Sequence, residues 1–66
     1  MPLVTIQLIH GRDQEKIAKM ISNVSKAISE SLEEPIEKVR VAVHEVPTSH
    51  FGIAGNTVKK IREQSN

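Results

Sequence analysis

The sequence predicts an α/β (α+β) fold: a small βαβ unit with two parallel strands, a long crossover helix and a short C-terminal hairpin, assembled into an oligomer. Three observations carry this expectation. A β-branched run over residues 3–9 is followed by a helical apolar period and then by a period-two run over residues 39–46. Strand, helix and strand in that order imply a right-handed crossover between two parallel strands. Finally, 66 residues with no cysteine form one domain that hides only ~60% of its unfolded surface, so without disulfides the core needs partner subunits.

Leu3 to Ile9 places Val4, Ile6 and Leu8 on one face and Leu3, Thr5, Gln7 and Ile9 on the other. Both faces carry apolar residues, as in a strand covered on both sides, and so short a chain has too few elements to cover both itself. His10-Gly11-Arg12 reads as a turn. Asp13 is a helix N-cap and Glu15 suits the positive end of the helix dipole. Ile17, Met20, Ile21, Val24, Ala27, Ile28 and Leu32 then form one apolar stripe, with Lys16, Lys19, Asn23, Lys26 and Glu30 opposite. Glu33-Glu34-Pro35 stops the helix, because Pro35 lacks an N–H and disfavours helical geometry at Glu34.

A short connection through Ile36-Glu37-Lys38 leads to the second strand, Val39 to Val46, which Pro47 ends. Val39, Val41 and Val43 share a face with Glu45, and Arg40, Ala42, His44 and Val46 share the other. Two strands do not stand alone, so the open face and edges are expected to meet other subunits. Thr48 to Gly55 reads as a loop or short hairpin. Asn56 to Ser65 reads as a further turn or short helix anchored by Val58 and Ile61, with fraying expected at the last residues.

Composition removes several functional classes. Nine basic against eight acidic residues, a net charge of +1, give no electrostatic case for nucleic acid or an anionic membrane. The Lys59, Lys60 and Arg62 cluster lacks stacking aromatics and reads as a solvated face. There is no membrane-length apolar run and no signal-peptide pattern, so cytoplasmic residence is expected. His10, His44 and His50 lack paired metal-ligand spacing, and no metal is expected. No cysteine nucleophile, phosphate-cradling glycine loop or G-x-S-x-G occurs.

Four residues are left to carry chemistry: Pro2, Arg12, Arg40 and Phe51, the chain's one aromatic. Removal of Met1 would free a secondary amine on Pro2, and burial would lower its basicity towards the neutral range that suits a general base. Arginines orient a carboxylate substrate and hold developing enolate charge. Arg12 lies beyond the far end of the first strand, about 25 Å from its own Pro2, so another subunit's Arg12 is the one able to share its site.

Met1-Pro2 before a hydrophobic strand, Gly11-Arg12 before an amphipathic helix, Val39-Arg40-Val41, and His50-Phe51-Gly52-Ile53-Ala54-Gly55 together resemble the 4-oxalocrotonate tautomerase family over nearly the whole chain. The resemblance implies a homohexamer, a trimer of dimers, acting without cofactor or metal on a small carboxylate such as 2-hydroxymuconate. It implies that Pro2 moves a proton between the 2-hydroxyl and a distant carbon, and that Arg12 binds the remote carboxylate. Arg40 of another subunit would contact the 2-oxygen and its neighbouring carboxylate, while Phe51 would supply the nonpolar wall that keeps the amine neutral. The family often has Gly-Gly where this chain has Ala54-Gly55, so a change in the loop is expected if that position needs positive φ. Two other readings stay open: hydratase, dehalogenase-type or decarboxylase chemistry on the same fold, and a noncatalytic subunit or binding protein with Met1 retained.

Overall fold

The structure, a computed structural model, describes residues 1–64. Ser65, where the sequence places the end of the last helix, and the expected fraying there lie outside the described residues. Strand β1 spans Leu3–Ile9, helix α1 Gln14–Leu32 and strand β2 Arg40–Val46. The strands are parallel and in register from Leu3 opposite Arg40 to Ile9 opposite Val46. Both ends of the ladder are closed by one more bond: the Arg40 N–H donates to the Pro2 carbonyl at 3.0 Å, and the His10 N–H to the Val46 carbonyl at 2.8 Å. Pro2 is thereby tied to the sheet although it precedes the strand.

The Asp13 carboxylate accepts the Glu15 N–H at 3.3 Å, and its carbonyl accepts the N–H groups of Lys16 and Ile17, each at 3.1 Å. These bonds satisfy donors that a helix start leaves unpaired. α1 ends on Glu33, which is left-handed at φ 54° and ψ 42°. The N–H groups of Glu33 and Glu34 both reach the Ser29 carbonyl, and the Ser29 hydroxyl donates to the Glu34 carbonyl. The stop is therefore built before Pro35, which opens a 3-10 turn over Ile36–Lys38. That turn takes the Val39 N–H for the Ile36 carbonyl at 3.0 Å, so β2 begins one residue later than the alternation suggests.

Pro47 opens a second 3-10 turn, Thr48–His50. Strands β3 (Gly52–Ile53) and β4 (Asn56–Thr57) then form an antiparallel hairpin, and helix α2 spans Val58–Gln64. The two linking residues, Ala54 at φ 53° and Gly55 at φ 83°, have the paired positive φ values that match a tight hairpin to the strand twist. The position does need positive φ, and Ala54 adopts it, so the alanine strains the turn without replacing it.

Among the described residues only Val39 and Val58 are buried. The stripe residues Ile17, Met20, Ile21, Val24 and Ile28 are half-covered, whereas Ala27 and Leu32, expected in the same stripe, are exposed. A two-stranded sheet is narrower than the stripe and shorter than the nineteen-residue helix. The chain exposes 5254 Å², against about 4,200 Å² for a compact monomer of its mass. Its radius of gyration is 15.4 Å, against about 11 Å for a compact chain of its length. Met1 and Leu3, at 83% and 72% exposure, stand on this uncovered surface.

Candidate active site

The four residues singled out in the sequence fall into two groups at opposite ends of β1. At the start, half-buried Pro2 lies beside Arg40 of the same chain, joined by the backbone bond at 3.0 Å. The Arg40 side chain is exposed and donates from Nη1 to the Glu37 carbonyl at 2.7 Å. The 3-10 turn thus aims that carbonyl at one guanidinium nitrogen and leaves the remaining donors of the fork for another acceptor. The β1–β2 pairing puts each chain's own Arg40 next to its own Pro2.

At the other end, Arg12 and Phe51 line one cavity of about 480 Å³. Gln7, Leu8, Ile9, His10, Gly11 and Arg62 complete its lining. Gly11, at φ 124°, makes the turn that carries Arg12 out of the strand into this wall, a backbone state that a side chain would disfavour. Arg12 also lines a second, more apolar hollow of about 350 Å³ with Leu8, Lys16, Ile17 and Met20. The larger cavity combines two guanidinium groups, an imidazole and a carboxamide with Phe51, Leu8 and Ile9. Such a wall fits a small anion with an apolar body. Hydration chemistry would call for a carboxylate beside Phe51 to activate water; no Asp or Glu belongs to this lining.

Pro2 and Phe51 are therefore in different halves, as are Pro2 and Arg12. The seven residues of β1 separate them by about 23 Å at ~3.3 Å per residue. His10 and Arg62 are lining residues that the sequence reading set aside. For Arg62 a signal was present: it follows Val58 by four residues and so shares the inward side of α2. His10 offered none, because a turn residue has no periodicity to show where it points. Among the described residues no group of three or more His, Cys, Asp or Glu is placed to hold a metal ion, and no described helix is long and apolar enough to cross a membrane.

Comparison with known proteins decides the family. The model of the family described as "Tautomerase enzyme" matches residues 2–61. The chain belongs to the tautomerase family. This tautomerase is 42% identical over 62 residues to the 2-hydroxymuconate tautomerase of Pseudomonas sp. (strain CF600), covering 94% of this chain and 98% of that protein. It is 44% identical over 61 residues to the enzyme of the same name from Stutzerimonas stutzeri, covering 92% and 97%. Among solved structures, it matches TomN, a 4-oxalocrotonate tautomerase homologue in the tomaymycin biosynthetic pathway, with a TM-score of 0.95, 31% identity and coverage of 98% and 100%. A heterohexamer 4-oxalocrotonate tautomerase from Chloroflexus aurantiacus J-10-fl matches with a TM-score of 0.89, 29% identity and coverage of 94% and 100%. The chain is thus an isomerase of this class, with the βαβ-hairpin fold expected from its sequence.

Proposed function

We propose that this tautomerase moves a proton within small dienol or enol 2-oxo acids such as 2-hydroxymuconate, with Pro2 as the base once Met1 is removed. The observation that carries the reading is the division of the candidate residues between the two ends of β1. The start of β1 brings the Pro2 nitrogen beside Arg40, and the far cavity holds Arg12 and Phe51 without a prolyl nitrogen. Bringing the start of one copy's β1 against the far cavity of another completes a site, and the 2-hydroxymuconate tautomerases it resembles support the substrate class.

In that site the Pro2 amine takes the proton of the 2-hydroxyl and returns one to a distant carbon, so the dienol becomes the conjugated ketone with no net gain or loss of atoms. Arg12 binds the remote carboxylate and draws electron density towards it. Arg40 holds the 2-oxygen and the adjacent carboxylate as charge develops there. Phe51 keeps water from the amine, which favours its neutral form. The assembly we infer is a homohexamer, a trimer of dimers, for which the named heterohexamer relative offers a precedent. We place it in the cytoplasm, in the breakdown of aromatic compounds, where unsaturated dicarboxylates arise by ring opening.

The test pairs intact mass with ketonisation of 2-hydroxymuconate by wild type and Pro2→Ala. The wild type should be short by one methionine residue, and Pro2→Ala should be slower by about 10²-fold or more, the usual share of a general base. A processed protein whose Pro2→Ala variant keeps full activity would overturn the mechanism.

A further inference from the structure

Thr57 lies across the hairpin from the residue after Phe51 and has no place among the reacting groups. Thr57 belongs to two elements at once. In the hairpin it pairs with Gly52, the residue after Phe51. As the residue before α2, its Oγ1 accepts the Lys60 N–H at 3.1 Å, an N-cap to the third residue of the helix. The next residue, Val58, is 5% exposed and donates its N–H to the Phe51 carbonyl at 2.8 Å. α2 packs in turn against the Thr48–His50 turn, which leads into Phe51 from the other side.

The Phe51 carbonyl is consequently held by the Val58 N–H, and that bond relies on α2 starting at Val58. A helix of seven residues is too short to hold itself in water. Its start must be specified by something outside it, and the Thr57 hydroxyl is the described side-chain group bonded to that end. The hairpin brings Thr57 to that point, but its two-residue strands and the strained Ala54 at φ 53° hold it only weakly by themselves. Without the cap, Lys60 keeps an unpaired donor that favours unwinding the first turn, and the Val58 to Phe51 bond goes with it.

We propose that Thr57 is a positioning residue for the active site: its hydroxyl, by capping α2, locks the Val58 to Phe51 bond and so holds the Phe51 ring, and on the same helix Arg62, against the cavity. This rests on the reading of Phe51 as the wall of the Pro2 site. It adds a specific role for a side chain that touches no substrate.

The chain has a single Phe, so protein made with 4-fluorophenylalanine gives one ¹⁹F resonance that reports this ring alone. Thr57→Val keeps shape and β-branching but removes the acceptor; Thr57→Ala removes the acceptor and the branching together. Both should shift or broaden the resonance and lower kcat/KM for 2-hydroxymuconate by about fivefold, with assembly mass unchanged, while Thr57→Ser restores ring signal and rate. An unchanged resonance in both variants, with or without a rate loss, overturns the proposal. Loss of assembly in both makes the cap purely structural and also overturns it. A shifted resonance with an unchanged rate supports the positioning by Thr57 and instead overturns the role given to Phe51, as full activity in Phe51→Ala would.

Discussion

Among the described residues, two other than glycine sit in the left-handed region that side chains disfavour, and each marks a place where the chain must reverse. Glu33 at φ 54° ends α1, and Ala54 at φ 53° makes the hairpin turn. Glycine has no side chain to strain there, so Glu33→Gly and Ala54→Gly should each raise stability by about 0.5–1 kcal/mol, read from urea midpoints at one fixed protein concentration. Arg40 differs in kind. It is exposed and bonded only through Nη1 to the Glu37 carbonyl, so Arg40→Ala should leave assembly and melting temperature nearly unchanged. Turnover of 2-hydroxymuconate should fall by about 10²-fold, the loss typical of one removed donor at a developing oxyanion. Equal loss of assembly and activity would make Arg40 structural. Pro2, Arg12, Arg40 and Phe51 were legible as single residues because each is a rare or costly choice where it stands. His10, also in the cavity lining, was hidden because a turn residue shows no period, whereas Arg62 was signalled by its four-residue step from Val58.

At the scale of elements, β1 and α1 follow from local physics: alternation with β-branching for the one, and a capped apolar stripe for the other. Asp13 carries the start of α1 through its carboxylate at 3.3 Å from the Glu15 N–H. Asp13→Ala should cost about 1 kcal/mol and Asp13→Ser almost nothing, as read by thermal melts. The prediction erred by one residue at β2 because the Ile36–Lys38 turn claims the Val39 N–H, and a turn bond of that kind leaves no mark in hydrophobic periodicity. A sharper signal existed in the prolines: Pro35 and Pro47 each open a 3-10 turn, with φ of −58° and −62° already set by the ring. The hairpin was harder still, since its two-residue strands are too short to show a period, and only Ala54-Gly55 between them hints at the turn.

For the whole molecule the decisive quantity is surface. A chain that exposes 5254 Å² where about 4,200 Å² would serve a compact monomer leaves its open sheet face, with Leu3 and Arg40 at one end and Ile9 and Val46 at the other, for partners to cover. Its urea midpoint should therefore rise with protein concentration, and Leu3→Asp should shift sedimentation from oligomer to smaller, less stable species. The need for an oligomer was legible from length and the absence of cysteine; which ends meet was not, because both faces of β1 are apolar. The same geometry divides the candidate site residues, with Pro2 at one end of β1 and Arg12 and Phe51 at the other. The most direct test is to unfold and refold Pro2→Ala and Arg12→Ala together and to measure 2-hydroxymuconate ketonisation. A site shared between subunits yields hybrids in which some sites hold an intact Pro2 and an intact Arg12, with activity returning to about a quarter of wild type on random mixing. Activity no higher than the mean of the two separate variants would contradict it, since it would mean that each chain carries Pro2 and Arg12 to a site of its own.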